Sequence, residues 1–364
     1  MEGIHNEEKE LYWLWFDRYL AFSHSVKERL LEIFHTPEVL FHTTVSQLKN
    51  VLTEKQIQTF LQKRDMHDVV VMKEKLKEKD IRYIMWYQEE YPPQLLELTD
   101  YPYVLYLRGN ASFLSRKSIA IIGARNASAQ GKELAKYFAR ELAKQGIAII
   151  SGMAAGIDGA AHYGALDAGG MTIGVLGCGV NVIYPKEHAN LYWQMCQQGA
   201  VISEVGIDTK PMAYLFPMRN RLISALSSGI LVIEAKKQSG SLITVDQGLE
   251  QGKDIYSIPG NIYHPLSEGC NQLIKQGAKC VTHINDILEE LHLPKQEDTI
   301  LQNEIQLAPT EKIVYSCLGL ETKYIDCIMN ESGLTVAEVL SALYQLERKG
   351  FIQQEVRNYF HIRL

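Results

Sequence analysis

A parallel, doubly wound, Rossmann-like α/β sheet, preceded by a helical segment and followed by a winged-helix-like one, is the architecture this sequence predicts. Three observations predict it. Between Ser118 and Leu291, short β-branched runs alternate with amphipathic stretches, the pattern of strands joined by crossover helices. The runs end in turns rich in glycine, hydroxyl or cationic residues, and in such a sheet these turns gather beyond the carboxyl ends of the strands. On either side of this segment the apolar spacing is helical, three and four residues apart. The chain of 364 residues, 46% of them hydrophobic, has room for a large core and for two or three domains. The expected division is residues 1–108, 109–294, a linker at 295–306, and 307–364.

Composition narrows the function classes. A formal charge of -6 argues against a protein that coats DNA through bulk charge and leaves room for a local basic cleft. The six cysteines show no C-x-x-C pair, so reduced, buried thiols are expected rather than staples or a metal site. The first ten residues are acidic and no apolar run approaches membrane-spanning length, so neither export nor a membrane span is expected and the location is read as cytoplasmic.

From Lys9 onward, Leu11, Leu14, Trp15 and Leu20, then Leu30, Leu31, Ile33 and Phe34, mark a small helical domain. Further helices are expected at 45–52, at 54–63, where Thr53 and Gln56 resemble a capped start, and at 68–78. Residues 81–84 and 104–107 read as extended pieces leading into the next domain. Strands are then expected at 119–122, 147–151, 172–176, 201–204, 230–234, 255–258 and 279–282. The helices between them are expected at 132–144, 158–167, 187–197, 220–226, 244–250 and 271–276.

The candidate site is a set of turns. Phe216-Pro217-Met218-Arg219-Asn220-Arg221 reads as a strand-to-helix junction, where unpaired N–H groups, the helix dipole and guanidinium groups together suit an anion. After the first strand, Gly123-Ala124-Arg125 permits close backbone approach but lacks the G-x-G-x-x-G spacing of a dinucleotide site, so no cofactor is expected. Arg125 is either an anion ligand or a salt bridge closing its turn. Gly152, Gly156 and Asp158 shape the loop after the second strand, with Asp158 read as a helix cap and His162 as packed beneath the loop rather than as half of a metal pair. Lys186 opens a helix where a cation opposes the dipole, which suggests an anion nearby, although an ordinary exposed lysine reads the same way. Glu204 and Glu234 end strands at the same edge and are expected to compete for one of the two arginines. Ser239-Gly240-Ser241 forms either a second anion cradle, beside Lys236 and Lys237, or simply a helix cap. No nucleophile elbow, Walker A or H-E-x-x-H sequence is present, so catalysis has little support.

These motifs, together with Tyr184-Pro185, Pro259-Gly260 and Gly269-Cys270-Asn271, resemble in order the successive motifs of the DNA-processing protein DprA/Smf family. The resemblance implies a non-enzymatic protein that binds single-stranded DNA, protects it and helps load the recombinase RecA in natural transformation. It implies work as a homodimer, on strands otherwise covered by single-strand-binding protein. Carried over, Arg125, Arg219, Asn220 and Arg221 fall in the family's basic pocket motifs and Lys186 sits beside Tyr184-Pro185. Tyr184, Phe216 or Tyr214 would supply stacking surfaces if they are not core. A Rossmann-like nucleotide-binding enzyme of the lysine-decarboxylase-like phosphoribohydrolase type is the alternative, weakened because Pro259-Gly260 continues into Asn261.

The resemblance also implies a SAM-like N-terminal domain and a winged-helix-like C-terminal one, and both depart from the pattern. Ala21-Phe22-Ser23-His24-Ser25-Val26 has no glycine to turn backbone N–H groups toward phosphate, so the N-terminal domain is not expected to bind DNA. At the C-terminus, helices at 311–320, 324–331 and 336–349 precede a two-stranded wing at 351–356 and 359–363. The segment from Thr335 to Glu347, in the place of a recognition helix, has two acids and no base, which favours partner binding or packing over duplex DNA.

Overall fold

The computed structural model describes residues 2–20, 22–294, 307–319 and 322–362; the expected linker at 295–306, Ala21 and Arg363 lie outside them. Two compact units result, Met1–Thr282 and His283–Leu364.

The first unit opens with six helices: α1 (Glu2–Arg18), α2 (His24–Phe34), α3 (Pro37–His42), α4 (Val45–Leu48), α5 (Glu54–Lys63) and α6 (Met66–Glu78). Local chemistry sets their ends. Thr53 accepts the N–H of Gln56 at 3.4 Å while the Gln56 side chain reaches back to the Thr53 N–H at 2.9 Å, a reciprocal cap that fixes the start of α5.

The sheet then follows as β1 (Arg82–Met85), β2 (Val104–Gly109), β3 (Ser118–Ile122), β4 (Ala148–Ser151), β5 (Thr172–Val175), β6 (Ala200–Ser203), β7 (Gly229–Val232), β8 (Asp254–Ser257) and β9 (Lys279–Cys280). Its helices are α7 (Ala129–Lys144), α8 (Ile157–Asp167), α9 (Ala189–Gln198), α10 (Leu215–Leu226), α11 (Gly240–Glu250) and α12 (Glu268–Lys275). The strand order is β1-β2-β6-β5-β4-β3-β7-β8-β9. The seven strands from β3 to β9 are parallel, as the alternating pattern predicts.

β1 and β2 differ from the expectation. They are not a connector but antiparallel members of the same sheet, with Tyr106 of β2 opposite Ser203 of β6. The sheet therefore runs across the position near Gly109 where a boundary was expected. Side chains alternate along β2, so Val104 and Tyr106 face one core and Leu105 and Leu107 the other. The helical segment fills the first of these cores. Trp13 packs edge-on against Trp86 at 5.5 Å and beside Tyr103 at 5.6 Å, so α1 is joined to the sheet through an aromatic seam.

In the second unit, helices Pro309–Ser316, Ile325–Ser332 and Val336–Arg348 surround a core that includes Val314, Ile328, Val339 and Leu343. The wing strands Ile352–Val356 and Tyr359–Ile362 pair as expected, and a short strand, Lys323–Tyr324, adds a third place that the sequence reading did not include.

Among the described residues all six cysteines are free. Cys178 and Cys270 are buried, but Cys280 and Cys327 are exposed, contrary to the expectation of buried thiols throughout.

Candidate functional site

Strand order locates the site. From β3 the chain winds outward through β4, β5 and β6, then returns to place β7 on the other side of β3. The loops leaving β3 and β7 therefore diverge, and a crevice opens between them. A cleft of about 710 Å³ lies there, lined by Gly123, Ala124 and Arg125 after β3 and by Lys236, Gln238 and Ser239 after β7.

Hydrogen bonds fix the two loops to each other. The Ala124 N–H donates to the Glu234 carbonyl at 2.8 Å. The Glu234 carboxylate accepts from the Ser128 N–H at 2.9 Å and its hydroxyl at 2.5 Å, while Ser128 Oγ accepts the Gly131 N–H at 2.9 Å and so caps α7. Glu234 thus serves the positive end of a helix rather than claiming an arginine as expected.

The Arg219–Arg221 motif is not at a strand-to-helix junction. Helix α10 starts at Leu215, five residues before the expected Asn220. Pro217 is its third residue, where the missing N–H breaks no intrahelical bond. Arg219 points from α10 back over the sheet and is 4% exposed. Its Nη1 donates to the carbonyls of Gly152, at 2.6 Å, and of Val175, and its Nε donates to Asn220 Oδ1 at 3.1 Å. Burial, reinforced by the nearby Arg125 charge, lowers its pKa to about 10, while Asp158 opposes the shift. Arg219 still borders the cleft, so it puts positive charge beneath it.

Arg221 takes the other direction. Its Nη2 bonds Glu204 at 2.7 Å and the Asp100 carbonyl at 2.9 Å, and its Nε bonds the Asp100 carboxylate at 2.8 Å. It does not line the cleft. Its expected role as a phosphate ligand meets competition here: Glu204 and the connector between β1 and β2 occupy its Nε and Nη2 donors.

Arg125 is exposed, and among the described residues no ion pair to it is found, so the salt-bridge reading does not hold. Its guanidinium lies 5.4 Å from the centroid of the Phe216 ring, and that ring sits 5.5 Å from the Tyr184 ring at an angle of 31°. Together these three planes form one wall of the cleft. Tyr184 and Tyr214 are both exposed, not core.

Ser239, Gly240 and Ser241 open α11 at the cleft. The two hydroxyls are 2.8 Å apart, and Ser239 Oγ accepts the Ser241 N–H at 3.4 Å, so the cap and the cradle are the same residues. Lys186 does not border the cleft; it is exposed at the start of a three-residue turn, Lys186–His188, beside the Tyr184-Pro185 motif.

In the loop after β4 the two glycines have no room for a side chain. A Cβ on Gly152 would collide with the Arg219 guanidinium. Gly156 has φ +81, and a Cβ there would strike the carbonyls of Ala124 and Arg125. Asp158 lies inside α8 rather than at its cap, and its buried carboxylate accepts the Gly152 N–H at 3.1 Å. His162 is fully buried, with Nδ1 2.7 Å from Thr172 Oγ1, and burial, with the charges of His188 and Arg219, lowers its pKa to about 3.

Of the residues singled out from sequence, Gly123, Arg125, Asp158, Arg219, Asn220, Ser239, Gly240 and Ser241 converge on the cleft, while Gly152 lines a small chamber of about 80 Å³ beneath Phe216. Asn126, Lys236 and Gln238 border the cleft without having been selected. The two adjacent lysines ahead of Ser239 carried the only signal for one of them.

Known proteins resemble the chain over most of its length. Residues 82–292 match the family described as DNA recombination-mediator protein A, and residues 301–356 match the DprA winged helix domain. Protein Smf of Escherichia coli is 41% identical over 285 residues, 76% of each chain. DNA processing protein DprA of Bacillus subtilis is 38% identical over 257 residues, 70% of this chain and 85% of that one. Among solved structures, DprA from Streptococcus pneumoniae superposes with a TM-score of 0.68 at 31% identity, covering 79% of this chain and 99% of its own. DprA from Helicobacter pylori, solved for its single-stranded DNA binding mode, gives 0.53 at 31% identity, over 58% and 96%.

Proposed function

The chain belongs to the DprA/Smf family of DNA recombination-mediator proteins, and from that premise we propose that it binds single-stranded DNA along the β3–β7 cleft and mediates recombination there. Arg125 carries this reading: an exposed guanidinium to which no ion pair is found among the described residues, backed by the buried charge of Arg219 and sharing the cleft with the amino end of α11. Each of these features attracts phosphate. Lys236, Asn220, Ser239, Gly240 and Ser241 extend the same surface, and Tyr184 offers an exposed ring to an unpaired base. Lys186 is a peripheral contact in this scheme.

The remaining roles follow from kinship. The protein protects exposed strands and helps load RecA onto DNA otherwise held by single-strand-binding protein, acting as a homodimer in the cytoplasm and serving natural transformation where the host takes up DNA. No helix among the described residues is long and apolar enough to cross a membrane. A binder rather than a catalyst fits the cleft, because Asp158 and Arg219 are engaged by backbone groups. The phosphoribohydrolase alternative is not favoured. The three-part division at 1–108, 109–294 and 307–364 is kept as a functional division, with DNA held by the middle part.

Fluorescence anisotropy with a labelled oligothymidylate over a salt series tests the proposal. Wild-type affinity should fall with salt, and Arg125→Glu should weaken binding and flatten the slope of log affinity against log salt by about one. Absent binding, or equal binding and slope in the variant, would overturn it. Preference for a free mononucleotide would instead favour the enzyme reading.

A further inference from the structure

After β8 the chain forms the loop Pro259-Gly260-Asn261-Ile262-Tyr263-His264, which leaves the same edge of the sheet as the cleft loops. Ile262 and Tyr263 at its tip are 79% and 88% exposed. The loop is held firmly all the same. Asn271 of α12 accepts the Gly260 N–H at 3.1 Å and donates to its carbonyl at 2.9 Å. The Asn261 carboxamide accepts the Tyr263 N–H at 2.9 Å, and its carbonyl accepts the His264 N–H at 3.0 Å.

The returning segment is continuous with the cleft. Leu266 borders it, and the Leu266 carbonyl accepts the Ala235 N–H at 2.7 Å, next to Lys236 of the cleft wall. A hydrogen-bonded loop thus presents an aromatic and an aliphatic side chain to water at the rim of a cationic crevice. It carries no lysine, arginine or carboxylate, so it offers a nucleic acid an apolar surface rather than a charge for phosphate.

We propose that Tyr263, supported by Ile262, is a base-stacking finger that receives an unpaired nucleobase of the strand held in the cleft. The proposal rests on the cleft being the single-stranded DNA site. A π-face suits every base, so the finger favours unpaired over paired strands without reading sequence. It adds no phosphate contact and so releases no counterion of its own.

The full chain, a labelled oligothymidylate and an abasic oligomer of equal length suffice to test this. Tyr263→Ala should weaken oligothymidylate binding about tenfold, the loss of one stacked base, with an unchanged salt slope. Tyr263→Phe keeps the ring and should restore affinity to within about twofold. The abasic oligomer should bind wild type and Tyr263→Ala alike. If Tyr263→Ala binds oligothymidylate normally while Arg125→Glu does not, the finger is refuted and the cleft assignment stands. Equal loss on both oligomers also refutes stacking. If wild type binds neither, the cleft assignment fails and the finger with it.

Discussion

Arg219 and Arg221 stand two positions apart on one helix and answer to opposite constraints. Arg219 ties the ends of β4 and β5 under the cleft, and its replacement leaves two buried carbonyls short of a donor. Arg219→Met should therefore cost about 3 kcal/mol in urea unfolding and also weaken DNA binding. Arg221→Met strands the Glu204 carboxylate without its cation. It should cost roughly 3 kcal/mol as well, yet leave the affinity of the folded protein almost unchanged. Two unfolding curves and two anisotropy titrations separate the roles. His162 supplies a pH signature. Its pKa is near 3 in the folded protein against an ordinary 6.5, so between these limits the unfolded chain binds the extra proton. Stability from this group is present above about pH 6.5 and is lost as the pH falls toward 3. His162→Gln should flatten that acid limb when urea midpoints are followed against pH.

At the scale of elements, the cleft depends on a loop after β4 whose Gly152 and Gly156 tolerate no added atoms. Gly156→Ala would meet both the positive φ and the carbonyls of Ala124 and Arg125, and so displace the arginine-bearing turn. We expect a loss of about 2 kcal/mol in stability and a clear fall in affinity, measured on the same preparation. The sequence makes much of this readable. Alternation of β-branched and amphipathic runs suffices to place β3 to β9, and glycine and hydroxyl turns suffice to mark the edge where the cleft opens. Other features depend on partners that are far away in sequence. Nothing local in 81–84 or 104–107 says that these runs pair with each other and that the second also pairs with β6. Pro217 reads as a boundary although it sits in a first turn. The split between Arg219 and Arg221 is decided by Gly152, Val175, Asp100 and Glu204, which no spacing rule brings together. Helix Val336–Arg348 exposes Val336, Leu340 and Tyr344 on one side.

For the whole molecule, a formal charge of -6 and a cationic cleft are compatible because binding depends on local charge placement. Truncation from the two ends should have different outcomes. Ending the chain at residue 294 removes the winged-helix core and should leave single-strand affinity within about twofold, with no duplex binding lost, as gel shifts with matched oligomers will show. Deleting residues 1–80 should instead yield insoluble or unfolded protein, because α1 and its neighbours complete a core shared with β2, β6 and α9.

The aromatic seam that joins α1 to β1 and β2 also determines how the protein can be watched. Of the four tryptophans, Trp13, Trp15 and Trp86 lie in or against that seam's core, while Trp193 lies on the surface under the Arg108 guanidinium. None borders the cleft. Tryptophan emission will consequently follow the melting of the helix–sheet junction, and cleft occupancy has to be read from Tyr184 at the cleft or from a dye on the oligonucleotide.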